Sequence, residues 1–232
     1  MMKNPFNRLV HSSHNLWKIS GLPHSLKEGA SQPSLASPRY STFPTKIVKD
    51  FVECLAKKSD PVVLDIGSVV GSNIEYLMNF GIKVYMEDLL AAYDKPKYLV
   101  TVDEKLTFDE HAFFSENFGY EDCCFDGLIC WDILDYLDAR FAKAFIAQIS
   151  AKMKPGGLVL GFFHTQKGIG PCFNHKYRLV DGCTLEYIPL ERKMELKKIY
   201  PSREINQLFS GYKNQRFYLL KNNFLEVMLR KT

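Results

Sequence analysis

Apolar and polar positions along this chain follow two interleaved periods. Across residues 45–58, Ile47, Val48, Phe51, Val52 and Leu55 fall at helical spacing and predict a first helix. Val62, Val63, Leu64 and Ile66 then form a short, largely β-branched run between Pro61 and Gly67. Such a run is the pattern of a strand buried on both faces of a parallel sheet. After a turn framed by Gly67 and Gly71, the stripe of Asn73, Ile74, Leu77 and Met78 predicts a helix that Gly81 closes. Ile82, Val84 and Met86 alternate as a second strand, which runs into Glu87 and Asp88. Residues 97–102 read as a third strand or a loop strand, and 108–118 as a short helix or an aromatic-rich loop.

The same alternation returns further on. Leu128 to Trp131 form another buried strand, preceded by Phe125-Asp126 and ending in Asp132. Asp138 is placed to cap the next helix, whose apolar face is Phe141, Ala142, Phe145, Ile146, Ile149 and Met153. Lys154-Pro155-Gly156-Gly157 ends that helix and leads into a strand over 158–163. Residues 165–183 read as a loop region carrying glycines and aromatics, a candidate lid. A strand over 185–190, a helix starting near Ser202 and two final strands, 217–220 and 224–229, complete the pattern. Asn222-Asn223 predicts a two-residue hairpin turn between the last two. The strand–helix alternation defines an α/β fold.

The unit over 61–88 suits a ligand that contains adenosine. A glycine turn opening a helix lets a ligand approach the backbone, because no Cβ intervenes. A carboxylate at the tip of the next strand is placed to accept hydrogen bonds from ribose hydroxyls. The glycines are spaced G-x-x-x-G, not G-x-G-x-x-G, so a nicotinamide-dependent oxidoreductase is the weaker alternative.

Leu64-Asp65-Ile66-Gly67 through Gly71 resembles the cofactor loop of the class I S-adenosylmethionine-dependent methyltransferases. Gly81, Val84 and Asp88 match the family's second element, Phe125-Asp126 its fourth strand, and Lys154 to Gly157 the turn before its fifth. One position departs: Val69 stands where the family usually has its middle glycine. The resemblance implies a doubly wound, mostly parallel Rossmann-like sheet closed by a C-terminal antiparallel hairpin, with S-adenosyl-L-methionine as cofactor. It places Asp65, Gly67, Ser68, Gly71, Glu87, Asp88 and Trp131 around that cofactor, with Asp88 on the ribose and Glu87 as the neighbouring alternative. Glu116 or Asp122 is the candidate contact to adenine. Asp132, His164 and Tyr136 are the candidate catalytic residues, either carboxylate or imidazole acting as base. The competing reading of the same loop is a cofactor-binding protein without transfer activity.

Charge adds one feature. Residues 1–49 carry seven Lys/Arg and one acid, 50–190 carry 13 and 21, and 191–232 carry ten and four, giving the net +4. The acidic, aromatic-bearing middle suits a neutral or cationic small-molecule acceptor. The basic ends raise a nucleic-acid partner as a lesser alternative to a solvated surface. Residues 1–43 are basic, rich in Ser and Pro, and resemble a transit peptide. The preferred reading is a loosely ordered N-terminal extension preceding one domain over 44–232, with Arg39, Tyr40 and Phe43 as the docking part. Six cysteines without a metal-type C-x-x-C pair read as reduced thiols in a cytoplasmic protein. No window is long and apolar enough to cross a bilayer.

Overall fold

A computed structural model describes residues 41–166 and 173–232. The expectations for 1–40, Arg39 and Tyr40 included, lie outside the described residues. The elements are β1 (Ser41–Pro44), α1 (Val48–Ala56), β2 (Val62–Asp65), α2 (Gly71–Met78), β3 (Lys83–Met86), α3 (Leu89–Tyr93), β4 (Leu99–Val102), β5 (Lys105–Phe108) and α4 (Glu110–Asn117). They continue with β6 (Phe125–Trp131), α5 (Ala139–Lys152), β7 (Met153–His164), β8 (Phe173–Leu179), β9 (Thr184–Lys193), α6 (Ser202–Leu208), β10 (Tyr212–Leu219) and β11 (Phe224–Lys231).

The central sheet has six strands in the order β10-β11-β7-β6-β2-β3. β3, β2, β6 and β7 are parallel, whereas β11 and β10 join antiparallel. This is the mostly parallel Rossmann-like sheet with an antiparallel C-terminal hairpin that the resemblance implied. β6 is buried at all seven positions, as a central strand covered on both faces must be. Asp126 at its start accepts bonds from the Val62 amide (3.1 Å), Lys58 (3.1 Å) and Lys154 (2.7 Å). It holds the end of the sheet opposite the ligand crevice.

One open reading is resolved and three local expectations change. Of the two readings of 97–102 the strand outside the central sheet holds, since 99–102 forms a separate hairpin with β5. The four residues of β4 are all exposed, too little apolar burial for a central position. Asp138 occupies the N-cap position of α5 without bonding the helix, its carboxylate accepting instead from Tyr93 (2.7 Å) and Lys197 (2.9 Å). Met153 and the Lys-Pro-Gly-Gly segment belong to β7 rather than to the preceding helix and turn. The final hairpin turns through Lys221, Asn222 and Asn223 inside a Leu220–Phe224 bond of 2.8 Å. Asn223 takes the left-handed conformation there (φ 63°), as three-residue hairpin loops require.

Within the expected lid, residues 173–179 are strand, while 165–166 and 180–183 are bends. β8 pairs with β9, and β9 with β1, in a second antiparallel sheet ordered β1-β9-β8. Phe43 on β1 stacks on Tyr187 of β9 (centroids 4.2 Å apart), so part of the expected docking segment is a strand of this sheet. Two fastenings hold the sheet to the core. The buried Asn73 amide, in the first turn of α2, donates to the Tyr177 carbonyl (2.7 Å) and accepts from the Leu179 amide (2.8 Å). It behaves as one more rung of the β8 ladder. The buried Glu226 carboxylate on β11 accepts from the Lys46 amide (2.9 Å), just before α1.

Replacing Asn73 by Ala strands the Tyr177 carbonyl and the Leu179 amide in the interior. The expected loss of unfolding free energy in a urea titration is about 2–5 kcal/mol, from two unsatisfied buried groups. Amide exchange of Leu179 should accelerate before that of the β6 amides.

Candidate functional site

The carboxyl ends of β2, β3, β6 and β7 converge on one crevice, where ligands bind in open α/β sheets. It is lined by Gly67, Ser68, Asp88, Leu90, Trp131, Ile133 and, from β8, His175, Lys176 and Tyr177. Its volume is about 280 Å³, counted to its open mouth.

Asp65, the last residue of β2, is buried beneath the crevice, under the lining residues Gly67 and Trp131. Its Oδ1 accepts from the Gly67 amide (2.8 Å) and from Nε1 of Trp131 (2.7 Å). The two glycines of the turn have separate reasons to be glycine, and neither has positive φ. A Cβ on Gly67 would lie 2.5 Å from Trp131 Cδ1, so the indole occupies that space. A Cβ on Gly71 would meet nothing within 4 Å, which leaves the first turn of α2 open to a ligand. Val69 also keeps ordinary backbone angles, and its side chain is 56% exposed. The valine at the family's middle-glycine position therefore does not fill the turn.

Glu87 and Asp88 separate cleanly. Asp88 reaches the glycine turn: Oδ2 accepts from Ser68 (2.7 Å), while Oδ1 caps α3 through the Ala91 amide (3.0 Å). Glu87 turns away to Tyr120, and burial raises its carboxyl above the usual range. Neither Glu116 nor Asp122 lines the crevice. Glu116 is bonded by Lys97 and Tyr98, and Asp122 by Lys152 (2.7 Å).

Trp131 has φ of 49°, an uncommon conformation for a bulky residue. A register shift between Ile129 and Trp131 against β7 accompanies it, a bulge that re-aims the side chain at the strand's end. The indole lies nearly parallel to Tyr177 (5.2 Å, 2°) and Phe162 (6.1 Å, 8°). At 4% exposure its packing belongs mainly to the core, with an edge on the crevice.

Beyond Trp131 the candidate catalytic residues do assemble. Ile133–Tyr136 form a 3₁₀ turn that points Asp132 and Asp135 towards His164 at the end of β7. Asp135 Oδ2 accepts from the His164 amide (2.7 Å) and pairs with its Nδ1 (2.9 Å). That bond gives Nδ1 the proton and leaves the Nε2 lone pair facing Asp132 Oδ2 at 3.9 Å, too far for a direct bond. Tyr136 packs edge-on against the imidazole (6.0 Å, 89°). Burial raises the Asp132 carboxyl, and pushes Asp135 up to about 6 despite its two bonds from His164. Both Asp132 oxygens are buried without a hydrogen bond of ordinary geometry, although the Tyr177 hydroxyl faces them.

Asp135, one turn after Asp132, is legible in the sequence as a residue that could line the same cavity, but its bond to His164 depends on where β7 ends. Two participants carry little signal in the sequence. Asn73 and Tyr177 meet only across more than 100 residues. Among the described residues no cluster has the makings of a metal site, and no helix is long and apolar enough to cross a membrane.

Residues 40–212 match a family described as a methyltransferase domain. Three solved structures are similar at low identity. A methyltransferase from Methanosarcina mazei is 14% identical, with 81% of this chain and 97% of that chain covered and a TM-score of 0.47. One from Aquifex aeolicus is 14% identical, covering 80% and 89%, with a TM-score of 0.47. A 1,6-didemethyltoxoflavin-N1-methyltransferase from Burkholderia thailandensis, bound to 1,6-didemethyltoxoflavin and S-adenosylhomocysteine, is 14% identical, covering 87% and 100%, with a TM-score of 0.42. No curated protein matches the sequence.

Burial pushes Asp65 up to about 7 from its ordinary 3.8, with the Asp88 charge adding and the bonds from Gly67 and Trp131 opposing. The folded state thus holds this proton more tightly than the unfolded chain. The resulting stability is fully present below pH 4 and is lost as pH rises towards 7, at about 1.4 kcal/mol per pH unit. Asp65→Asn should flatten that slope in denaturant titrations run between pH 4 and 7, relative to the parent protein.

Proposed function

This chain belongs to the class I S-adenosylmethionine-dependent methyltransferases, and we propose that it methylates a small molecule with His164 as the base. The observation that carries the cofactor side is the open Gly71 turn with Asp88 and Ser68 at its rim and Asp65 buried beneath it. The residues fit S-adenosylmethionine by chemistry. Asp88 would accept hydrogen bonds from hydroxyls, Leu90 and Ile133 would wall a flat ring, and the Asp65 charge, buried beneath Gly67, would favour an ammonium above it. When bound, the cofactor supplies a methyl group already activated by its sulfonium charge.

The protein's part is alignment, exclusion of water and movement of one proton. Asp135 orients the imidazole and fixes its tautomer, the role a carboxylate plays behind a histidine base. His164 Nε2 then takes a proton from the acceptor. Asp132 faces the acceptor, and Tyr136 walls the imidazole. Burial of this cluster beneath β8 and β9 favours a small acceptor over a nucleic acid. The crevice as it stands encloses almost no free space, far less than the roughly 300–1,000 Å³ of ligand sites. On this reading β8 shifts to admit the ligands.

Calorimetric titration with S-adenosylhomocysteine tests the assignment. Micromolar binding is expected, weakened about tenfold or more in Asp88→Ala by loss of charge-assisted bonds. Glu87→Ala should bind as the parent does. Equal losses in both variants would remove the ribose assignment, and no binding to the parent protein would leave a noncatalytic role.

A further inference from the structure

Nothing in the resemblance fixes the acceptor, but the buried acids beside His164 restrict its charge. Asp132 is 1% exposed, and neither of its oxygens has a hydrogen bond of ordinary geometry. Asp135 spends Oδ2 on His164 and leaves Oδ1 buried without a partner. Among the described residues no Lys or Arg pairs with either, His164 being the ion-pair partner of both and His175 a more distant neighbour of Asp132. Around them stand the Tyr177 hydroxyl, Tyr187, Tyr136 and His175. Burial holds His175 below its ordinary range, so it adds no charge at neutral pH. A buried carboxylate left without a partner costs folding free energy, and such a group calls for an explanation.

We propose that Asp132 is the anchor for an acceptor amine, and that this protein is an N-methyltransferase acting on a small primary or secondary amine. The proposal rests on the methyltransferase reading and adds the acceptor's class. A protonated amine brings a cation, which neither acid otherwise faces, and the N–H donors that Asp132 lacks. The 3.9 Å separation of Asp132 Oδ2 and His164 Nε2 lets one nitrogen with two N–H bonds donate to both. The chemistry then balances. The ammonium gives one proton to His164 Nε2 and becomes a neutral nucleophile. Its lone pair forms the N–C bond to the methyl carbon, and the C–S bond breaks with its electron pair left on sulfur. The positive charge passes from the sulfonium to the methylated nitrogen, and the proton on His164, a 16% exposed side chain, passes to solvent.

An oxygen acceptor meets the opposite electrostatics. To attack it must approach an alkoxide or phenolate, and an anion beside Asp132 in a low-dielectric interior is repelled. An amine site instead keeps positive charge next to carboxylates from entry through the transition state.

The test uses the full chain saturated with S-adenosylhomocysteine and three probes that share one ring and differ in charge: 2-phenylethylamine, 2-phenylethanol and 3-phenylpropionate. Calorimetry should find the amine bound about tenfold or more tighter than the other two, the size expected for one desolvated charge pair. Asp132→Asn should erase that preference while leaving S-adenosylhomocysteine affinity unchanged. Asp132→Ser gives the same readout should the amide disturb packing. Equal or tighter binding of the alcohol or the carboxylate, no binding of the amine, or a preference that survives loss of Asp132 would overturn the assignment. Failure of the parent protein to bind S-adenosylhomocysteine would instead overturn the methyltransferase reading beneath it.

Discussion

The site depends on one buried carboxylate. Asp65 accepts from a backbone amide of the glycine turn and from the indole of the neighbouring parallel strand. Those two bonds set the distance between the turn and Trp131, and the indole in turn fills the space where any side chain on residue 67 would go. The left-handed backbone at Trp131 is an unfavourable conformation for a bulky residue. The bulge, the bond to Asp65 and the ring packing with Tyr177 and Phe162 together hold it there. Because Trp131 is followed directly by Asp132, the strain at one residue decides where the next carboxylate points. Cofactor turn and acceptor wall are thus a single mechanical unit.

The second sheet is coupled to that unit. Asn73 belongs to the first turn of α2, the part of the helix that a ligand on the glycine turn approaches, yet its amide completes the ladder of β8. β8 in turn supplies Tyr177, whose ring lies against Trp131 and whose hydroxyl faces Asp132. Movement of β8 to admit a ligand therefore disturbs the base side and the cofactor side together. Glu226 fastens the other end of the same sheet through the start of α1. The three-stranded sheet is a cover hinged on side-chain bonds to backbone groups, not on apolar packing alone.

Local pattern made the parallel core legible. The runs at 62–66 and 128–131 are short, apolar and punctuated by glycine or acid, and each is a strand of the central sheet. The spacing of Gly81, Val84 and Asp88 marked the strand end that reaches the turn. What local pattern could not carry is contact between distant segments. Residues 165–183 read as loop because their apolar content is irregular, yet β8 is ordered by pairing with β9 and by Asn73, 104 residues away. Residues 97–102 read as a third strand or a loop strand, and with all four residues of β4 exposed the segment lies outside the central sheet. Among the site residues, Asp65, Asp88, Asp132 and His164 were visible as acids or a base at strand ends. The choice of Asp88 over Glu87 needed Tyr120, which captures Glu87 from 33 residues away.

Charge explains why the two halves of the crevice differ. On the cofactor side each carboxylate is already answered: Asp65 by an amide and an indole, Asp88 by a hydroxyl and a helix N-terminus. These acids need only modest further interaction to be satisfied, and they suit hydroxyls and an ammonium at the rim. On the acceptor side Asp132 is faced only by the Tyr177 hydroxyl, without a hydrogen bond of ordinary geometry, and Asp135 Oδ1 has no hydrogen-bond partner. Folding alone gains nothing from burying them in that state, since a polar group without a partner costs about 1–3 kcal/mol, and a charged one more. The fold tolerates the cost because the Asp65–Trp131 unit and the fastened second sheet over-determine the positions of both acids. An arrangement that is unfavourable without its ligand and fixed by the surrounding hydrogen bonds is preorganised for positive charge once β8 admits it. The sulfonium donor and a nitrogen acceptor pass that charge between them without ever leaving the carboxylates' field.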